Sequence, residues 1–218
     1  MHSPFMKIFS HLSAHFGPQG WWPGEGPLEI SVGAILTQNT NWENAHRSIV
    51  NLKIQNLLHP SIIRDMEHSS LAQAIHSSGY HNQKARKLKH FMCWLSHYGD
   101  DWNSIQRRSL SELRQELLSI WGIGEETADS ILLYALDKPI FVIDAYTRRI
   151  LSRHQFCSSK ESYDSLQQLL MNHLPQDTAL YNEYHALLVR LGKQYCQKKP
   201  QCRKCPLVKF SPEIQGAL

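Results

Sequence analysis

Residues 117–148 read LLSIWGIGEETADSILLYALDKPIFVIDAYTR, and this stretch decides the fold. Gly122-Ile123-Gly124 separates two helical patterns. Glycine reaches backbone angles closed to other residues, so the chain can reverse tightly there. Small side chains also leave backbone N–H groups bare, and such a nest of amides grips anions. In the pattern that follows, Ala128, Ile131, Leu132, Ala135 and Leu136 recur at the spacing of one buried helix face. Then comes the apolar run Ile140–Ile143, a single acid at Asp144, and Ala145-Tyr146-Thr147-Arg148-Arg149-Ile150. An amide nest able to hold a phosphate, with a carboxylate some twenty residues on, points to chemistry on a nucleic acid.

Working outward, helical periodicity dominates. It predicts helices over His81–His97, Ser109–Ser119, Glu125–Leu136, Lys160–His173 and Thr178–Tyr195. In the last, Leu180, Tyr184, Leu187, Leu188 and Leu191 form one stripe. Breakers separate the segments: Gly17-Pro18-Gln19-Gly20, Pro23-Gly24-Glu25-Gly26-Pro27, Gly99-Asp100-Asp101 and Asp137-Lys138-Pro139. There is no internal repeat or low-complexity tract, and the best short strand candidate is Ile140–Ile143. The expected fold class is all-α.

A chain of 218 residues is long enough for a real core in one large domain or two small ones. Hydrophobic residues at 42% and charged residues at 19% suit an ordinary soluble protein. The apolar runs, such as Ile131–Leu136, fall far short of the roughly 20 residues needed to cross a bilayer. No charged-then-apolar leader follows Met1-His2-Ser3-Pro4. These features predict an intracellular, cytoplasmic and nucleoid-associated monomer with no membrane partner. The net charge of +4 is modest but clustered: Lys84, Arg86, Lys87 and Lys89; Arg107 and Arg108; Arg148 and Arg149; Lys198, Lys199, Arg203, Lys204 and Lys209. Any one cluster is compatible with a solvated helix face. Several of them beside an amide nest tilt toward a polyanion, where cations gain affinity by releasing counterions. Five cysteines, three of them within ten residues, read as reduced thiols and a candidate metal site rather than a disulfide framework.

Residues 117–148 resemble the helix-hairpin-helix motif and catalytic aspartate of the endonuclease III (helix-hairpin-helix-GPD) superfamily of DNA base-excision glycosylases. Gly33-Ala34-Ile35-Leu36-Thr37-Gln38-Asn39-Thr40-Asn41-Trp42 resembles the early helix and DNA-probing loop of that family, and Gly79-Tyr80-His81-Asn82-Gln83-Lys84-Ala85 its second signature. Together with Cys196, Cys202 and Cys205, the likeness spans roughly residues 20–210. It implies two helical lobes: residues 22–136 ending in the hairpin, and residues 1–21 plus 137–218 carrying the catalytic acid and the cysteine-rich loop. Asp144 would lie at the mouth of a DNA-binding cleft between them. The implied partner is double-stranded DNA containing a damaged base.

The resemblance also assigns roles. Asp144 would stabilise the oxocarbenium-like sugar and orient or deprotonate water, and the same side chain is a good cap for the helix beginning at Ala145. Glu126 stands where family members that also cut the backbone carry an attacking lysine. A carboxylate cannot form a Schiff base, so this pattern implies a monofunctional, water-using enzyme with Asp144 and Glu126 as its candidate catalytic acids. Glu126 also suits the first turn of a helix. Lys138 is a conceivable substitute amine from another loop. The Trp21-Trp22-Pro23 entry and Trp42 resemble the endonuclease III-type 3-methyladenine DNA glycosylases, which makes Trp21, Trp22 and Trp42 the base-pocket candidates; paired tryptophans also serve as ordinary packing. A cationic alkylpurine would be held over an indole face by about 0.5–2 kcal/mol, and an extruded base needs a stacking slot. Gln38 would fill the gap left in the duplex, while Lys84, Gly122, Gly124 and Thr127 would position the DNA backbone.

Cys196-x5-Cys202-x2-Cys205 resembles the family pattern for a [4Fe-4S] cluster, which has four cysteines and a longer first gap; Ser211 stands at the fourth place. Three thiolates with an oxygen ligand could hold such a cluster weakly, zinc is a second choice, and free thiols in a packed loop a third. Two rival functions follow from the same residues: a bifunctional glycosylase/AP lyase for oxidised pyrimidines, and a non-enzymatic helix-hairpin-helix DNA-binding module.

Overall fold

The computed structural model describes residues 3–210, and those residues contain no strand. The fold is all-α, with twelve α-helices among the described residues. They fall into two compact units, one of Trp22–Lys138 and one of Met1–Trp21 with Pro139–Leu218.

The first of these is built around α2 (Gly26–Leu36), whose residues Ser31 to Leu36 are all buried. A helix apolar on every side belongs in a core. Around it pack α3 (Trp42–Ile54), α6 (His81–Ser96) and α9 (Glu125–Ser130). The short helices α4 (Pro60–Asp65) and α5 (His68–Ala74) lean on α6, while α7 (Trp102–Gln106) leads into α8 (Leu110–Ser119). Caps explain where several of these begin. The Asn41 side chain accepts from the Asn44 N–H at 2.9 Å, and Asp101 accepts from both Asn103 and Ser104. Ser109 and Glu112 form a reciprocal capping box, each satisfying an amide that the first helical turn leaves without a partner.

The helix expected over Glu125–Leu136 is regular only as far as Ser130. Ile131–Ala135 is a π-helical turn, in which the Leu136 N–H reaches back to the Ile131 carbonyl at 3.1 Å. Such an insertion re-aims the side chains beyond it.

The other unit joins α1 (Pro4–Phe16) to α10 (Ala145–Arg153), α11 (Tyr163–Met171) and α12 (Thr178–Gln194). α12 carries the buried Tyr181, Tyr184, His185, Leu187, Leu188 and Leu191. It packs against both α1 and α10. At the α10 crossing, a Cβ on Gly192 would lie 2.3 Å from the Tyr146 ring. The two helices meet there only because residue 192 has no side chain.

Ile140–Ile143, the strand candidate, is an extended and buried segment with no strand beside it. Side chains take the part of a neighbouring strand. The Gln167 amide donates to the Phe141 carbonyl at 2.7 Å, and the Tyr163 hydroxyl accepts from the Ile143 N–H. Phe141 lies edge-on to Tyr181 and Tyr184, with centroids 5.4 and 5.7 Å away. A β-type apolar run can thus be extended for burial alone.

Candidate active site and nucleic-acid interface

Asp144 ends that extended segment and caps α10. Its Oδ1 accepts from the Thr147 N–H at 2.7 Å, and only 9% of the residue is exposed. Among the described residues only one of its two oxygens, Oδ1, is held by a hydrogen bond. The His185 Nε2 atom lies 3.8 Å from Oδ1. Burial pushes the His185 imidazole down, with Asp144 pulling weakly the other way, so at neutral pH it adds no positive charge beside the acid.

In the other unit, Gly122 has φ +85, and its carbonyl accepts from Gln38 Nε2 at 3.1 Å. The same amide donates to Thr127 Oγ1 at 2.8 Å, while Gln38 Oε1 accepts from Lys87 Nζ. The lysine stem crosses the place where a Gly122 side chain would sit. Gln38, Gly122 and Thr127, three of the candidate DNA residues, are therefore gathered into one cluster, and Lys87 joins them. Gly124 precedes α9 with an exposed, extended backbone.

Lys84 is a correction. Expected to touch phosphate, it is 2% exposed, and its ammonium donates to the Leu36 carbonyl at 2.9 Å and the Ser78 carbonyl at 2.6 Å. It ties α2 to the turn before α6. Burial, helped by repulsion from Lys87, lowers its pKa from 10.5 to about 8. Between about pH 8 and 10.5 the unfolded lysine holds a proton that the buried one has released, so this group makes the fold more stable as pH rises. The Tm of the wild type should accordingly gain on that of Lys84→Met across that window. Lys89 is half-buried, and its ammonium donates to the carbonyls of Arg64 and Met66. What this helix turns outward is Arg86, stacked 4.1 Å over the ring of the exposed Trp121.

Trp22 and Trp42 meet edge to face at 5.3 Å, and Trp22 lies 5.2 Å from Tyr134 on the π-turn. Gly33 is their floor: a Cβ there would come within 3.1 Å of the Trp22 indole nitrogen and 3.3 Å of the Trp42 ring. Both rings are half-buried. Trp21 is half-buried too and closes the N-terminal stretch of the other unit. Glu126 is exposed on the first turn of α9. Lys138, the substitute amine, donates to the carbonyls of Gln106 and Arg108 at 2.7 and 2.8 Å.

Tyr80 belongs to the second signature, but the sequence alone assigned it no role. It is 66% exposed, has a left-handed backbone at φ 46, and starts α6. A bulky residue with positive φ is uncommon enough to draw notice. Gly79-Tyr80 before a helix was the only available signal.

Among the described residues, no group of three or more His, Cys, Asp or Glu side chains is placed to hold a metal ion. Cys196 is buried with its sulfur 3.3 Å from an Arg153 guanidinium nitrogen, whereas Cys202 is exposed on a short 3-10 turn. Ser211 lies outside the described residues. No helix of the described residues is long and apolar enough to cross a membrane.

Residues 32–176 match the family described as HhH-GPD superfamily base excision DNA repair protein. The chain belongs to this family. It is a DNA glycosylase of base excision repair, and its partner is DNA. A Methanocaldococcus jannaschii protein named "Putative DNA repair glycosylase MJ1434" is 44% identical, with 94% of each chain covered. The structure of H. pylori 3-methyladenine DNA glycosylase bound to 1,N6-ethenoadenine is similar at a TM-score of 0.75 and 28% identity, covering 87% of this chain and 97% of that one. A non-covalent endonuclease III–DNA complex shares the fold at a TM-score of 0.79 and 21% identity, over 97% and 95% of the two chains.

Proposed function

We propose that this glycosylase is monofunctional and uses water to remove an alkylated purine of the 3-methyladenine type, leaving an abasic site. The observation that carries the reading is the state of the candidate amines. The place after the hairpin holds Glu126, which cannot form a Schiff base, and the Lys138 Nζ atom is occupied in donating to two backbone carbonyls. The likeness to the H. pylori 3-methyladenine enzyme supports the substrate class, as does the aromatic corner of Trp22, Trp42 and Tyr134.

In this mechanism the C1′–N bond breaks with its electron pair leaving on the base. An alkylated purine departs as a neutral molecule, so it needs no proton from the enzyme. Asp144, with Oδ1 fixed by the Thr147 amide, stabilises the positive sugar through Oδ2. Water then adds to C1′ and gives its proton to that carboxylate. Trp22 and Trp42 offer the electron-rich faces that favour a cationic base. Arg86, Lys87 and the amides around Gly122 and Gly124 hold backbone phosphates, and the exposed Tyr80 offers a ring on which bases can stack.

Incubation with methylated duplex DNA should release free 3-methyladenine and leave unbroken strands carrying abasic sites. Borohydride added during the reaction should trap no protein–DNA adduct. A trapped adduct, or release of oxidised pyrimidines alone from mixed-damage DNA, would replace this reading with the bifunctional one.

A further inference from the structure

We propose that His185 is a positioning residue for Asp144: its neutral imidazole supports the carboxylate's negative charge from the capped side without cancelling it. The inference rests on Asp144 as the acid of base release. Both residues belong to the same compact unit, His185 inside α12 and Asp144 at the start of α10, and these helices pack together. The buried His185 Nε2 atom is 3.8 Å from Asp144 Oδ1, the oxygen that also accepts the Thr147 amide. That separation is too wide for a hydrogen bond, so the ring acts on the carboxylate as a dipole. An anion at this distance selects the tautomer with its proton on Nε2, because a bare lone pair would be repelled.

The neutral form matters because of the sum of charges. A lysine, an arginine or a protonated histidine at this place would leave the pair with no net charge. The positive charge growing on the sugar would then meet no attraction. A neutral imidazole leaves the pair with one negative charge. Burial favours that form, pushing His185 down more strongly than Asp144 pulls it up. An apolar ring in its place would remove the dipole, and the carboxylate would keep its charge in surroundings that resist it.

Other charges on the surrounding elements are turned outward or already bonded. α1 meets α12 through Phe9 against Tyr184, and its Lys7, His11 and His15 are exposed. The extended segment before Asp144 brings only apolar side chains. On α10, Arg148 donates to the Glu161 carbonyl, while Arg149 and Arg153 donate to carbonyls at and beyond the end of α12. On α11, Asp164 is exposed, and the Tyr163 hydroxyl accepts from the Ile143 N–H. Within α12, Glu183 accepts from the Gln19 N–H and Arg190 donates to the Phe16 carbonyl. Burial pushes Tyr181 and Tyr184 up, so both stay neutral through the acid and neutral range. The acid side of the pH–rate profile therefore belongs to Asp144 and His185 as a pair.

The measurement is base release from methylated duplex, followed across pH under single-turnover conditions. A carboxylate without its dipole takes up a proton at higher pH. His185→Phe should therefore move the acid limb up by about one pH unit, a roughly tenfold loss on the acid side. The rate on the plateau and the affinity for duplex should stay those of the wild type. His185→Gln, whose amide can place an N–H near the Nε2 position, should keep the limb where the wild type has it. A residue serving only to pack the helices would lower Tm without moving the limb, and that result would overturn the proposal. In wild-type protein carrying isotope-labelled histidine, the resonance lost in His185→Gln should report a neutral ring protonated on Nε2 at neutral pH. Asp144→Asn should shift that resonance. A charged ring, or one protonated on Nδ1, would overturn the proposal even were His185→Phe to fail to fold. Loss of base release in Asp144→Asn beside an unmoved limb in His185→Phe would sink this inference alone and leave Asp144 as the reacting acid.

Discussion

Asp144→Asn should reduce base release by about 10²- to 10⁴-fold while leaving the fold and the affinity for duplex DNA near those of the wild type. The separation of effects follows from the geometry. Asp144 has a structural task, accepting the Thr147 amide at 2.7 Å, and asparagine caps a helix about as well as aspartate. The substitution removes the charge on the second oxygen and little else. Asp144→Ala makes the contrast, because it loses the cap as well and should cost a further 0.5–2 kcal/mol or so of stability. Single-turnover release of methylated bases, read beside circular dichroism and a binding titration, tests the claim. An Asn variant with undiminished base release would remove Asp144 from the chemistry and leave it as a cap.

The residues readable from sequence were those whose roles are local. The hairpin could be placed because a Gly-x-Gly turn and the apolar spacing on either side lie within one short stretch. Asp144 could be read as a cap because the cap and the amide it serves are three residues apart. Ile140–Ile143 went astray for a related reason: an apolar run records burial, and only the fold decides whether a strand lies alongside.

Long-range partners left no such trace. Lys84 and Lys87 are chemically identical in a sequence and sit three residues apart on one helix. Yet Lys84 is buried beneath the end of α2, while Lys87 reaches across to Gln38, 49 residues away in the chain. Charge clustering therefore overstated the DNA-facing surface at Lys84 and Lys89 and missed the Arg86–Trp121 pair, which depends on the turn brought against α6. Gln38 was picked out as a duplex-filling residue, and its bonds to Gly122 and Thr127 add a constraint on that assignment. Before it can enter DNA, it must exchange two donated bonds and one accepted from an ammonium for interactions of similar worth. The π-turn at Ile131–Ala135 was equally hidden, because the apolar spacing of a helix hardly changes when one residue is inserted, although the direction of Tyr134 does.

Arg114→Ala should be the most destabilising single change at the hairpin, by about 3–5 kcal/mol. Arg114 on α8 grips Asp129 on α9 with two bonds, Nε to Oδ1 at 2.8 Å and NH2 to Oδ2 at 3.3 Å. Asp129 has no exposed surface at all, whereas the arginine side chain keeps 23% of its own. The asymmetry decides which partner matters more. Without Asp129 the guanidinium can turn toward water, but without Arg114 a carboxylate is left in the interior with its main counter-charge gone. A total stability of roughly 5–15 kcal/mol would lose a large share. Because the pair joins the helices on either side of Gly122 and Gly124, DNA affinity should fall along with Tm. The double variant Arg114→Met, Asp129→Leu discriminates the cause. An apolar pair of similar volume should recover most of the lost Tm, because a buried ion pair contributes little beyond what good packing would. Denaturant titration of Arg114→Met, of Asp129→Leu and of the double variant gives the coupling directly. Additive losses in that cycle would show that the two side chains act separately, and that the hairpin is held by something other than this bridge.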